Sequence, residues 1–312
     1  MFTNSLIVLQ QIIVMFLLIL MGYVLFRRNV FTNQTTQSLT VLLNKYIVFF
    51  VLLRSFQRPF DAHLGYALGV TFVCSMLFFL ISIALANRVY RPEKTENYAD
   101  CRVSVVLTNN GFMALPLLDA MFGSDGVFLG ASSIACMAII LWTYGVQQLS
   151  GGKEGNGIRN ILLNPALLAT VCGFLLFCSP VKLPELVFRA VDFLGDLNTP
   201  LAMLSLGCFL AQIDLRECFT DQEIWKVSAV RLLLIPAIAI VLLLFIPLDH
   251  MSKIILLTGT AAPCALASAM FGQIYGTDYL FSTRVISLST LLSVITLPLC
   301  ISVLEGLLHF FG

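Results

Sequence analysis

Charge is scarce in this chain. Lys, Arg, Asp and Glu make up 11% of its 312 residues, against about 25% in a soluble domain. With 59% hydrophobic residues and a mean hydropathy of +0.94, that scarcity leaves an integral membrane protein. No basic tract is present, so no nucleic-acid partner is expected, and a net charge of +1 says nothing about other partners. Histidine is limited to His63, His250 and His309, which lie far apart in loops or near span ends. There is no HExxH, GxSxG or phosphate-binding loop, so an enzyme is not expected. The nine cysteines form no CxxC pair and fall mostly inside apolar runs. They read as small fillers, not metal ligands or disulfide partners, and no cofactor is expected. The first residues, Met1-Phe2-Thr3-Asn4-Ser5, lack the positive region of a signal peptide, so the first apolar run reads as a retained helix.

What the chain does have is long uncharged stretches. Residues 64–87, 126–152, 160–181, 232–248, 254–277 and 285–304 contain no Asp, Glu, Lys or Arg. A spanning helix needs about 17–25 mostly apolar residues, whereas barrel strands alternate over about 10. The fold class is therefore all-α and membrane-embedded. Ten spans are expected, at 4–25, 37–55, 64–87, 101–121, 126–148, 161–179, 186–211, 225–246, 253–275 and 281–308. The second is interrupted by Lys45 and ended by Arg54. Linkers are short, with no low-complexity tract and no soluble domain.

Cytoplasmic loops carry the excess of Lys and Arg. With the N-terminus outside, the inner loops hold Arg27, Arg28, Arg88, Arg91, Lys94, Arg102, Lys153, Arg159, Arg216, Lys226 and Arg284. The outer loops then hold only Arg54, Arg58, Lys182, Arg189 and Lys253. Both termini are expected on the non-cytoplasmic side. Five spans (residues 1–150) precede a Gly-rich linker at 151–160, and five (161–312) follow it. An odd number per half inverts the second half in the membrane, which is the inverted-repeat design of many secondary transporters.

Two spans break the rule that backbone in lipid must satisfy itself. Leu107 to Pro116 and Thr258 to Ala265 place Gly and Pro mid-span, fourth in each half. Such irregular backbone is tolerated only where protein or a water-filled cavity covers it. Asn109 and Asn110 offer amides at membrane depth. Gly111 allows close approach or positive φ, and Pro116 cannot continue the hydrogen-bond ladder. Half-helix N-termini aimed at the midplane would suit an anionic group such as a carboxylate. The small residues Ala262, Pro263 and Cys264 would let the two unwound segments cross closely.

Other polar residues stay open between two roles. Trp142 suits stacking on a substrate or an interfacial belt. Asp196 suits a cation or proton site or a helix cap, and Asp119 an outer vestibule or a bland surface role. Lys45 and Arg231 lie within spans and read as snorkelling cations, with attraction of an anion as the alternative for either. No protonatable residue falls clearly at the midplane, so coupling to H+ or Na+ is open.

The ordered motifs resemble the auxin efflux carrier family. They are Asn109-Asn110-Gly111-Phe112-Met113-Ala114-Leu115-Pro116, Asn164-Pro165, Asn198-Thr199-Pro200 to Gly207, Arg231-Leu232-Leu233 to Pro236, Ala262-Pro263, Tyr275-Gly276-Thr277-Asp278, and Ser289 to Pro298. The resemblance implies ten helices as two inverted five-helix repeats with Pro-broken crossover helices 4 and 9. It further implies a scaffold of spans 1, 2, 6 and 7 and a transport domain of spans 3–5 and 8–10. Elevator-like movement of a small organic anion and a homodimer in a bacterial inner membrane are also implied. Asn109, Pro116 and Pro263 carry over as site residues, as do Ser55 and Trp142. The family's long cytoplasmic loop is here a short linker, which suits a compact prokaryotic-type permease. A ligand receptor using the same crossover without transport is the alternative.

Overall fold

Uncharged runs of about twenty residues leave backbone polar groups in lipid no partners but each other, and they coil into helices. The computed structural model describes residues 3–152, 158–179, 181–213 and 215–311. Every regular element among them is helical. In chain order these are α1 (Thr3–Arg27), α2 (Asn33–Ser55), α3 (Ala62–Val89), α4 (Tyr98–Val106) and α5 (Asn110–Leu149). After the linker come α6 (Ile158–Leu162), α7 (Pro165–Cys178), α8 (Glu185–Leu210), α9 (Leu215–Thr220) and α10 (Gln222–Phe245). The chain closes with α11 (His250–Ala261), α12 (Leu266–Tyr275) and α13 (Tyr279–Phe311).

Among the described residues, seven helices are long and apolar enough to cross a membrane: α1, α2, α3, α5, α8, α10 and α13. Side-chain caps start α3, α10 and α11, supplying partners for first-turn N–H groups. Asp61 accepts from His63 and Leu64, Asp221 from Glu223, and Asp249 from Ser252. Asn164 caps α7, with Pro165 in the first turn where its missing N–H costs nothing. The linker expected at 151–160 lies partly outside the described residues, which omit 153–157.

Three elements differ in detail from the expected spans. Lys45 does not interrupt α2: the helix widens to a π-turn over Leu43–Ile47 and continues, with Lys45 exposed on the protein surface. The sixth expected span is the 14-residue α7, about 21 Å long at 1.5 Å per residue and shorter than a hydrocarbon core of about 30 Å. The expected spans at 101–121 and 126–148 are not separated by a loop. Helical structure runs through α5, broken only at Gly123, whose φ of +58° favours glycine. The two limbs, 110–122 and 124–149, fold tightly on each other: a Cβ on Gly126 would lie 2.3 Å from the Leu118 carbonyl.

Small residues bring α1 and α8 close together. A Cβ on Gly22 would meet the Leu204 carbonyl oxygen at 2.2 Å, and one on Gly207 the Ile19 carbonyl oxygen at 2.0 Å. Membrane helices associate through such close backbone contact, because lipid gives them no hydrophobic drive.

Candidate functional site

α4 stops at Val106, and Leu107 turns to extended geometry (φ −79°, ψ 127°). Helical structure resumes at Asn110 through a π-turn, with Pro116 in the first turn of the α-helix proper. Proline there has no N–H to continue the ladder from that π-turn. α11 stops at Ala261, Ala262 swings to ψ 148°, and α12 starts at Leu266. The two unwound stretches lie antiparallel, bridged at Thr108 and Cys264. The Asn109 amide donates to the Pro263 carbonyl at 2.9 Å, and the Ala265 amide donates to the Leu107 carbonyl at 3.0 Å. Each break thus supplies hydrogen bonds the other would lack in an apolar setting.

The carbonyls at the C-terminal ends of the first half-helices need donors as well. Arg231 of α10 provides them. Its side chain is fully buried. Nε donates to the Ala262 carbonyl at 2.9 Å, Nη1 to the Val105 carbonyl at 3.2 Å, and Nη2 to the Thr260 carbonyl. One guanidinium therefore ties α4, α11 and the second break together. Its positive charge sits where two helix C-termini carry partial negative charge. Arg231 is thus not a snorkelling surface cation.

Beside the crossing lies a small cavity of about 10 Å³, room for about one water. Ser75 and Ser82 of α3 form one wall, and Thr108 and Asn110 of the first break another. Ser133, Arg231, Gly259 and Thr260 complete its polar lining. Asn110 Nδ2 donates to Ser133 Oγ at 3.2 Å, while Asn110 Oδ1 and Thr108 Oγ1 are buried without a partner. Buried polar atoms are normally paired, so these two mark a place where something else can bind. Gly259 keeps the cavity open on the α11 side. A Cβ there would sit 3.2 Å from Ser133 Oγ and 3.8 Å from Asn110 Oδ1.

The remaining candidates fall in different places. Asn109 is buried, and its carbonyl accepts from Met113 and Ala114. Gly111 does not have positive φ, and a Cβ there would make an ordinary 3.9 Å contact with Val48. Its carbonyl instead accepts from Asn198 Nδ2 of α8 at 3.0 Å. Cys264 is buried, and its amide donates to Ser289 Oγ at 3.2 Å. Ser55 is buried with its hydroxyl bonded back to Leu52 at 2.7 Å, and it does not line the cavity. Trp142 lies edge-on to Phe271, ring centres 5.1 Å apart, also away from the cavity lining. Asp196 is 65% exposed and pairs with Arg54 at 2.6 Å, next to a second pair between Arg54 and Asp192 at 3.0 Å. Sequence reading passed over Ser75 and Ser133, and read Gly259 only as part of the second break. Small hydroxyl and glycine residues are common in membrane helices, and only the fold shows which of them meet.

The profile of a family described as membrane transport protein matches residues 7–161 and 154–301. The chain is 23% identical over 241 residues to an uncharacterized transporter of Methanocaldococcus jannaschii, covering 74% of this chain and 76% of the relative. It is 25% identical over 201 residues to an uncharacterized transporter of Methanothermobacter thermautotrophicus, covering 63% of this chain and 65% of the relative.

Proposed function

This chain belongs to the membrane transport protein family, the auxin efflux carrier family whose motifs it carries, and from that premise we propose that it is a secondary transporter of a small organic anion, a carboxylate, bound where the two broken helices cross. The observation that carries the substrate class is the cavity beside the crossing. Its only charged lining residue is a buried arginine, and two unpartnered polar atoms face it. Asn109, Asn110, Gly111, Pro116, Ala262, Pro263 and Cys264 build this site. Ser55, Trp142 and Asp196 belong to the surrounding path, Asp196 as the candidate ion or proton site.

The architecture proposed with it is ten crossings in two inverted five-helix repeats, residues 1–150 and 161–312. α4 with residues 110–122 makes the fourth crossing and residues 124–149 the fifth; α7 is the sixth, and α11 with α12 the ninth. The antiparallel pairing of the breaks supports this reading, because inverted repeats place equivalent segments in opposite directions. A scaffold of crossings 1, 2, 6 and 7 is supported by the close contact of α1 with α8. The transport domain of crossings 3–5 and 8–10 then moves against it, elevator-like, to alternate access. A homodimer, an inner-membrane location with both termini outside, and coupling to H+ or Na+ complete the proposal.

Thermal melts of the purified protein with small carboxylates, at several pH values and with and without sodium, test the reading. A ligand that binds the folded state stabilises it by about 2.7 kcal/mol at a hundredfold excess over Kd. Stabilisation by a carboxylate that disappears in Asn109→Ala is expected. Stabilisation only by amines or neutral solutes would overturn the anion assignment.

A further inference from the structure

A buried charge needs an opposite charge or a very good set of hydrogen bonds. Arg231 is 0% exposed, and among the described residues no carboxylate pairs with it. A guanidinium has five N–H donors. Three are used on the Ala262, Val105 and Thr260 carbonyls, which leaves two. Carbonyl dipoles ease the desolvation of the charge but do not neutralise it. The same residue lines the cavity that holds the unpartnered Asn110 Oδ1 and Thr108 Oγ1. No Asp or Glu lines that cavity.

We infer that Arg231 is the counter-charge for the carried anion, whose head it meets at this cavity. This rests on the proposed transport of a carboxylate. It adds the residue that selects for charge and the part of the substrate that the residue meets. The two free N–H groups of Arg231 and the Thr108 hydroxyl donate to the carboxylate oxygens. The Asn110 amide turns to present Nδ2 to the head, and its oxygen then accepts from Ser133. The exchange gives up the 3.2 Å bond from Asn110 Nδ2 to Ser133 Oγ and the 3.1 Å bond from Ser133 Oγ to the Gly130 carbonyl, and replaces them with bonds from Nδ2 to the head and from Ser133 Oγ to Asn110 Oδ1. The cavity has about 10 Å³, room for about one water, so it widens to admit the head. Arg231 therefore has two tasks in one group: it holds the breaks in register through three carbonyls and supplies a charge that no carboxylate among the described residues balances.

The experiment compares acids with their neutral amides: benzoate with benzamide, and succinate with succinamide. Binding is read by thermal shift and by calorimetry on the purified full chain. Wild type is expected to prefer each acid over its amide, and R231Q to lose that preference. R231K keeps the charge but not the fork, so it should keep the preference with at least tenfold weaker binding. A purely structural arginine would lower the melting temperature without changing the ratio of acid to amide affinity. If R231Q proves too unstable to purify, T108V is the second variant. It removes one donor from the cavity, leaves the guanidinium bonds in place, and should weaken the acid about tenfold with an unchanged melting temperature in the absence of ligand. If R231Q or T108V binds the acids as wild type does while Asn109→Ala does not, the inference falls and the carboxylate reading stands. If wild type shows no preference for acid over amide, both fall.

Discussion

The Asn109 amide nitrogen lies 2.9 Å from the Pro263 carbonyl oxygen, so the two broken helices complete each other's backbone. The break in one is stable only because the break in the other lies against it. Arg231 then satisfies carbonyls on both sides of the crossing. Removing one N–H at the crossing should be felt across the site. The Asn109→Ala change spares that backbone bond and removes only the side-chain amide, so it should weaken ligand binding more than it weakens the fold.

The close approach of α1 and α8 depends on glycine at two positions. Gly207→Ala places a Cβ 2.0 Å from the Ile19 carbonyl oxygen, and backbone must move to admit it. Overpacking of this kind costs about 1–3 kcal/mol, so the melting temperature in detergent should fall. Gly22→Ala should behave alike, at 2.2 Å from the Leu204 carbonyl. Gly69→Ala, with nothing within 4 Å of the added Cβ, should be neutral or stabilising, since Ala is favoured over Gly in a helix by about 1 kcal/mol. Equal effects at all three positions would contradict the packing account.

Acid should loosen the start of α11. Burial works against the charge of Asp249, but hydrogen bonding from Ser252 outweighs it and its pKa is lowered from the usual 3.8. The Asp249 carboxylate accepts from the Ser252 amide at 2.9 Å. A depressed carboxylate contributes stability that is present above pH 3.8 and lost as pH falls through the lower folded value. Asp249→Ala should cost about 1 kcal/mol at neutral pH, a typical capping loss. The difference between the variant and wild type should shrink when the melts are run below about pH 4. A difference that is constant with pH would exclude this role for the ionised carboxylate.

Asn198 joins α8 to the first break by donating to the Gly111 carbonyl at 3.0 Å. Asn198→Ala leaves that carbonyl without its donor inside the protein, which costs about 1–3 kcal/mol. Asn198→Leu, which adds bulk against the break, should cost at least as much. Thermal melts of the two variants check this; melting at the wild-type temperature in both would show that the bond contributes nothing.

Next to the start of α3, packing should outweigh charge. Arg58 pairs with Asp125 at 2.6 Å and Ser124 at 2.7 Å, and its guanidinium lies 4.9 Å above the Phe128 ring. Asp125 is 47% exposed, so Asp125→Ala should cost no more than about 1 kcal/mol. Arg58→Ala loses the ring contact as well and should cost more. Phe128→Ala, at a fully buried position, should cost about 3–5 kcal/mol. Denaturation of the three variants under one condition tests the order.

The sequence made the breaks legible because Gly and Pro within uncharged runs have few explanations in lipid. Asn109, Asn110, Pro116 and Pro263 stand out for that reason. Arg231 did not. Charge and position in a span report depth, whereas its partners at Val105, Thr260 and Ala262 lie 126, 29 and 31 residues away in the chain. Gly111 reads from sequence as allowing close approach or positive φ, but positive φ belongs to Gly123, 12 residues on, where α5 doubles back. The sequence treats that turn as an ordinary loop. Ser75 and Ser133 were silent because a lone Ser in a membrane helix has no distinguishing neighbours along the chain.

The most direct test of the central claim is flux. Purified protein in liposomes is loaded with an unlabelled carboxylate that stabilises it, and uptake of the same labelled carboxylate is followed by counterflow. Wild type should give saturable uptake that is abolished by Asn109→Ala, while that variant retains its fold by circular dichroism. Uptake that does not saturate, or that is unchanged in folded Asn109→Ala protein, would contradict a carboxylate transporter working at this crossing.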